Sequence, residues 1–232
     1  MDSDTLYIIP ARGGSKGIPR KNIKPLGGRP LIAYSIDVAR ALAPDSHIIL
    51  STDDDEIADT ARDLGLKVDY MRPASLATDT AGSREVIIDA MDYADRIGIA
   101  YKRVVLLQPT SPFRKVEDIK NALALYNGDI DMVVSVTEAT SNPYYNCFET
   151  DPATGFLHVS KGDGLYTRRQ DAPQAWEYNG AVYVINPRSI RRMPLGAFPR
   201  RVPCVMPRER SLDLDTPLDW AVAELIIKEQ NG

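Results

Sequence analysis

Residues 6–22 read Leu-Tyr-Ile-Ile-Pro-Ala-Arg-Gly-Gly-Ser-Lys-Gly-Ile-Pro-Arg-Lys-Asn, "LYIIPARGGSKGIPRKN". An apolar run, Leu6–Ile9, is followed at once by a loop with three glycines, four cations and no acid. A short continuous apolar run bounded by turn formers predicts a strand buried on both faces. Such a strand needs cover on both sides, so the next question is whether helices follow. They do. Pro30–Leu42 carries Leu31, Tyr34, Ser35 and Val38 at helical spacing, and the alternation then repeats along the chain.

His47–Ser51 predicts a second strand, and Asp55–Leu64 a helix stopped by Gly65. Lys67–Met71 predicts a third strand, and Ser83–Asp95 a helix with Val86, Ile87 and Ala90 on one face. Arg103–Leu107 is a strong strand that runs into the turn "QPTSP"; Val116–Tyr126 is helical and Met132–Val136 is another strand. This order predicts an α/β fold, a three-layer α/β/α sandwich with a mostly parallel sheet whose ligands sit at the carboxyl ends of the strands.

The pattern breaks near Ser141. Residues 141–177 are rich in turn formers and aromatics and lack a helical period, with a hairpin strand expected at Phe156–Ser160 after "DPATG". They are expected to form an inserted β-rich arm within a single domain of 232 residues. An arm unable to bury its own apolar residues packs on a partner, so a homodimer is expected. A core strand, Ala181–Ile185, resumes the sheet. Pro217–Lys228 ends it as a helix, with Asp215-Thr216-Pro217 supplying a polar cap and a proline in the first turn.

Composition narrows the function. The net charge of -4 argues against a nucleic-acid binder, whose affinity rests on broad positive charge. No apolar segment is long enough to span a bilayer, so no membrane contact is expected. The start of the chain, acidic and without an apolar stretch before the first strand, is not expected to act as a signal peptide. The two cysteines, Cys147 and Cys204, are far apart and imply neither a disulfide framework nor a zinc site, which suits a cytoplasmic setting. With only two histidines, His47 and His158, no Ser/His/Asp set stands out.

Positive charge is nonetheless concentrated. From Thr5 to Ile36 there is no Asp or Glu, while Arg12, Lys16, Arg20, Lys21, Lys24 and Arg29 all fall there. Glycines 13, 14 and 17 let the backbone approach an anion and present its N–H groups. The spacing is neither GxxxxGK[ST] nor GxGxxG. The distant segment "SLDLDTPLDW" places Asp213 and Asp215 two apart, on one side of an extended chain, where they could seat Mg²⁺ with phosphate oxygens. A helix cap at Asp215 is the alternative reading. A cationic cradle together with a divalent seat suits a nucleoside triphosphate. In "LLQPTSPFR", Gln108, Thr110, Ser111 and Arg114 offer hydrogen bonds to a polar ligand. Arg169 offers a fork for a carboxylate, and Asn179-Gly180 reads as a turn before a strand.

In order, "IIPARGGSKGIPRKN", "RPASLATDTAGS", "LLQPTSPFR", "RRQDAPQ…YNGAVYVIN" and "SLDLDTPLDW" resemble the CMP-sialic acid synthetases, the N-acylneuraminate cytidylyltransferases, from about Leu6 to Ile227. The resemblance implies a Rossmann-like nucleotidyltransferase with an arm that makes a homodimer. It implies CTP and a nonulosonic acid as substrates, giving the CMP-sugar and pyrophosphate. Arg12, Ser15, Lys16 and Lys21 match the family's triphosphate loop; Asn22 and Arg72 match nucleotide-binding positions, and Ser83 a cytosine contact. Gln108 matches a sugar contact, Arg169 an arginine extended toward the partner's sugar site, and Asn179 and Tyr183 the sugar pocket. Asp213 and Asp215 match carboxylates for Mg²⁺, with Mn²⁺ as a substitute. Arg12, Lys16, Lys21 and Asp215 are the residues expected to carry catalysis. A lysine that the family often bears at the start of the arm is absent from Asn142–Asn146. That bears on the sugar, so KDN, legionaminate, pseudaminate and, last, Kdo stand as alternatives, with a non-catalytic nucleotide-binding subunit as the reading from another class.

Overall fold

The first strand, β1 (Thr5–Pro10), is buried on both faces, and both faces find helices. The computed structural model describes residues 3–78 and 80–231. The very start of the acidic N-terminal stretch and Asp79 in "RPASLATDTAGS" lie outside the described residues. After β1 come β2 (Pro25–Leu26), β3 (Arg29–Pro30), α1 (Leu31–Arg40), β4 (Ile48–Ser51), α2 (Asp55–Asp63), α3 (Ser83–Arg96) and β5 (Arg103–Leu106). Then follow α4 (Val116–Leu125), β6 (Met132–Glu138), β7 (Phe148–Thr150), β8 (Leu157–Val159), β9 (Trp176–Ile185), α5 (Pro187–Arg192), β10 (Arg201–Val205) and α6 (Pro217–Asn231).

Six strands form one sheet in the order β10-β6-β9-β5-β1-β4. β1 runs parallel to β4 and β5, and β10 to β6, while β9 is antiparallel to both β5 and β6. Alternate residues of β1 go to opposite layers. Tyr7 and Ile9 pack with Ile32 and Ile36 of α1, Ile57 of α2 and Ile119 of α4. Leu6 and Ile8 pack with Ile87, Ala90 and Met91 of α3 and Ile190 of α5. Each such aliphatic side chain contributes about 1.5–3 kcal/mol on burial. The expected three-layer α/β architecture with a mostly parallel sheet is the one found.

Three differences from the sequence expectation bear on the main sheet. Lys67–Met71 is not a strand. Its alternation is real, since Val68 and Tyr70 are buried and Lys67, Asp69 and Met71 exposed, but its backbone joins no ladder. Side-chain packing alone produced the period of two. β10, "RVPCV", is not among the expected strands; it holds Pro203 and lies at the edge of the sheet, where a proline is tolerated. The strand expected at Ala181–Ile185 starts earlier, at Trp176, and Asn179-Gly180 is not a turn. It is a bulge inside β9, where the register with β6 shifts between Val134 and Val136. Gly180 adopts a left-handed φ of 73° there. Ser135 fills the broken ladder: its hydroxyl donates to Asn179 Oδ1 at 2.6 Å and accepts from Val182 N at 2.7 Å.

A third apolar cluster positions the site. Ile18 and Leu26 of the basic segment pack with Phe113, Leu214 and Trp220. The N-terminal loop is thereby fastened to the beginning of the last helix. Residues 139–175, between β6 and β9, leave the sheet and carry the hairpin β7–β8, in register Phe148 to Val159. Asn142 organises its base. Its Oδ1 accepts from Tyr144 N at 2.9 Å and its Nδ2 donates to the Pro173 carbonyl at 2.9 Å.

Candidate active site

From β1 the chain passes to β4 on one side and later returns to β5 on the other, so the winding reverses between β1 and β5. Ligand crevices in open α/β sheets lie at the carboxyl ends of strands at such a reversal. A cleft of about 500 Å³ opens there. Arg12, Ser15, Lys16, Lys21 and Asn22 line it from the loop after β1. Arg72 and Ser83 line it from the segment leading into α3, Gln108 from the turn after β5, and Asp213 and Asp215 from the segment before α6.

The acid-free segment divides into two functional halves. Arg20, in a left-handed conformation at φ 54°, pairs with Asp54 at 2.5 Å and with Glu56. Lys24 lies 4.4 Å over the Trp220 ring, and Arg29 pairs with Asp37 at 2.6 Å. These three cations fasten the loop. Arg12, Lys16 and Lys21 border the cleft. Asn22 is buried and donates to the Arg12 carbonyl at 2.9 Å, so it shapes the loop from below. Gly13 N donates to Asp53 at 3.1 Å. A Cβ at Gly17 would lie 2.1 Å from the Asp215 carbonyl oxygen, so only glycine lets the loop come this close to the acid segment.

The acid pair is held by its own scaffold. Leu214 N donates to the Thr110 carbonyl at 2.8 Å, tying the segment to the turn after β5. Upstream, Arg210 forks onto the buried Asp118 of α4 at 2.7 and 3.0 Å. The α6 cap is made by Thr216 and Asp219, whose side chains bond reciprocally to each other's backbone N–H at 2.7 and 3.3 Å. Asp215 is therefore not the cap, and its side chain is 71% exposed. Lys21 Nζ donates to Asp215 Oδ1 at 3.0 Å and to the Leu214 carbonyl at 2.6 Å. Asp213 is largely buried. Burial raises its pKa from the ordinary value and Asp215 adds to this, while the Thr110 hydroxyl and Lys21 work the other way. Its Oδ1 is buried with no hydrogen-bond partner. Among the described residues no three acidic, histidine or cysteine side chains converge into a cage. An orphaned carboxylate oxygen beside a second, open carboxylate fits a hard divalent cation that completes its shell with phosphate oxygens and water.

Other expected residues fall elsewhere. Arg72 is buried, bonds Ser51 Oγ at 3.0 Å and the Ser51 carbonyl at 2.5 Å, and has its pKa lowered by burial. It still borders the cleft. Ser111 and Arg114 do not offer hydrogen bonds to a ligand. Both are buried, and they bond to backbone of the β5 turn and β9. Asn179 does not line the cleft; it is buried, and its Nδ2 donates to Ser211 Oγ at 2.9 Å. Tyr183 is not in the cleft lining either. Its phenol is pushed up to about 12, by burial first and then by Asp213. Arg169 lies in a separate pocket of about 430 Å³ with Trp176, Gln174 and Arg208, and bonds the Thr140 carbonyl.

Sequence reasoning missed Gly180. A Cβ there would meet Gln108 Oε1 at 2.9 Å, Ser111 Oγ at 3.2 Å and Asp213 Oδ2 at 3.4 Å. The bare bulge lets the turn and the acid segment meet. "NG" was the available signal, but the same dipeptide equally marks turns.

Residues 6–227 match the model of the cytidylyltransferase family, and the chain belongs to that family. Among its relatives is the CMP-N,N'-diacetyllegionaminic acid synthase of Legionella pneumophila, 33% identical over 96% of both chains. The N-acylneuraminate cytidylyltransferase of Streptococcus agalactiae is 36% identical over 93% of this chain, which spans about half (51%) of that longer protein. Among solved structures, CMP:2-keto-3-deoxy-manno-octonic acid synthetase complexed with CTP superposes with a TM-score of 0.70 at 16% identity, covering 97% of this chain and 99% of that one. The last likeness concerns the fold.

Proposed function

We propose that the chain transfers a cytidylyl group from CTP to the C2 hydroxyl of a nonulosonic acid, releasing pyrophosphate. The observation that carries this reading is the cleft itself. Three loop cations and the Asp213/Asp215 pair line one crevice at the reversal of the sheet. In the reaction an oxygen–phosphorus bond forms at the α-phosphate and the bond to the departing pyrophosphate breaks. Arg12, Lys16 and Lys21 bind the triphosphate and neutralise the charge that builds on the leaving group. Ser15 adds a hydroxyl to the same cradle. Arg72 and Ser83, both in the cleft lining, are assigned to the nucleotide, Ser83 to its base, and Gln108 to the acceptor. Asp213 and Asp215 would hold Mg²⁺ or Mn²⁺, which when bound screens phosphate charge and orients the α-phosphate. Lys21 keeps Asp215 in place from the loop side.

The name of the Legionella relative supports a legionaminate-type acceptor as the first sugar to test, and the missing lysine at Asn142–Asn146 is the reason to test it beside N-acetylneuraminate. A homodimer belongs to the same reading. It is supported by Phe148, Phe156, Leu157 and Leu165, which are large, apolar and exposed on residues 139–175. A cytoplasmic setting is supported by the free thiols of Cys147 and Cys204 and by the lack, among the described residues, of a helix long and apolar enough to cross a membrane.

The test is pyrophosphate release. It is expected only with CTP, a divalent cation and a nonulosonate together, and a panel of legionaminic, N-acetylneuraminic, pseudaminic acid, KDN and Kdo ranks the acceptor. Equal rates with UTP would overturn the cytosine assignment. Near-full rate in Asp215→Ala would overturn the metal role.

A further inference from the structure

Arg114 carries a charge in the wrong place for a simple structural residue. It is 3% exposed, and among the described residues its hydrogen bonds all go to carbonyls and a hydroxyl, none to a carboxylate. Burial pushes its pKa down to about 9, Asp213 being the charge that opposes this, and its Nε has no partner. A buried cation without a counter-ion is costly, and a leucine or methionine would fill the space at no such cost. Its hydrogen bonds show what it does instead. One terminal nitrogen donates to the carbonyls of Gln108 at 2.7 Å, Ser111 at 2.9 Å and Ala181 at 3.2 Å. The other donates to the hydroxyl of Ser35 in α1. The guanidinium thus pins three separate pieces: the turn after β5, the bulge of β9 and the helix that follows the basic loop.

Two of those pieces, the turn and the bulge, border Asp213. The turn holds Leu214 through the Thr110 carbonyl, and Gly180 in the bulge faces Asp213 Oδ2 and Gln108 Oε1. We propose that Arg114 is a positioning residue: its fork locks the β5 turn to the β9 bulge and so fixes where Asp213 presents its carboxylate. A lysine keeps the charge but cannot span three carbonyls and a hydroxyl from one planar group. The inference rests on the reading of Asp213 as a metal carboxylate, and the experiment separates the two.

Arg114→Lys, Ser35→Ala and Asp213→Asn are compared with the parent in steady-state rate and in Mn²⁺ binding, read by electron paramagnetic resonance with CTP present and no acceptor. Arg114→Lys is expected to lower kcat about tenfold or more and to weaken Mn²⁺ binding by a similar factor, with KM for CTP within about twofold, since displacing a reacting group by 1 Å can cost a hundredfold. Ser35→Ala, which removes one bond and keeps the arginine, is expected to move both readouts the same way by about two- to fivefold. Unchanged kcat and Mn²⁺ affinity in these variants, while Asp213→Asn abolishes both, would overturn the positioning role alone. If Asp213→Asn leaves both intact, the metal reading fails and the inference falls with it. Should Arg114→Lys fail to fold, Ser35→Ala decides on the same two readouts.

Discussion

Residues 12–22 and residues 139–175 are both irregular segments that leave a buried strand, yet the core treats them in opposite ways. The first is nailed down: Ile18 is 3% exposed, Asn22 is buried, Arg20 grips Asp54, and Gly17 abuts the Asp215 carbonyl. The second is held mostly by its own hairpin and by Asn142, and it leaves Phe156 and Leu165 each 77% exposed. The proposed triphosphate cradle would need charges fixed to a fraction of an ångström, and this loop is locked onto the rigid sheet. The apolar surface this segment leaves exposed is what the proposed dimer would cover.

Substitutions can break that contrast. Lys21→Met, on the fixed side, is expected to cost on the order of a hundredfold or more in kcat, because it removes a preorganised charge from the cleft. Stopped-flow pyrophosphate release checks it, and a loss below about threefold would take Lys21 out of the cradle. Gly17→Ala comes next. Its methyl group meets backbone at 2.1 Å, so the loop must retreat from the acid pair. A fall of about ten- to a hundredfold in kcat/KM is expected, with a lower melting temperature. On the other side, Phe156→Ser with Leu157→Ser is expected to leave CTP affinity and thermal stability of the protomer nearly unchanged, while light scattering shows the dimer fraction falling. A pair of exposed residues whose loss unfolds the protomer would erase the contrast. Asn142→Ala removes two hydrogen bonds at the base of the excursion and is expected to cost about 1–2 kcal/mol locally. Limited proteolysis should then cut within 139–175 sooner, with kcat for the nucleotide half little altered.

What could be read from sequence follows the same division. Buried strands such as Leu6–Ile9 announce themselves because both faces are apolar, and the parallel α/β order follows from their alternation with helices. The cleft cations were legible as an acid-free span, and Asp213/Asp215 as a spaced pair. Which cations border the cleft was not legible from composition; at the level of sequence only the family resemblance picked out Arg12, Lys16 and Lys21. Arg20, Lys24 and Arg29 have the same composition signal as Arg12, Lys16 and Lys21, and only the tertiary positions of Asp54, Trp220 and Asp37 tell them apart. Ser111 and Arg114 looked like ligand donors because a polar turn at a strand end can face either way. Asn179 was placed in a pocket by the family resemblance alone, and its dipeptide with Gly180 was read as a turn because a bulge and a turn share it. Lys67–Met71 shows the limit of periodicity: alternation reports which side chains are buried, not whether the backbone finds a ladder.

The contact between Lys21 and the Leu214 carbonyl joins positions 193 residues apart. Such a contact closes late, since distant segments must both be in hand before either gains from it. During synthesis, a nascent chain halted before residue 213 holds the whole cationic loop and neither acid. It can attract an anion, but it has no complete crevice in which to act on one. In the proposed reading, the crevice is complete only once residues 213–215 have joined the loop that precedes them by about 190 residues.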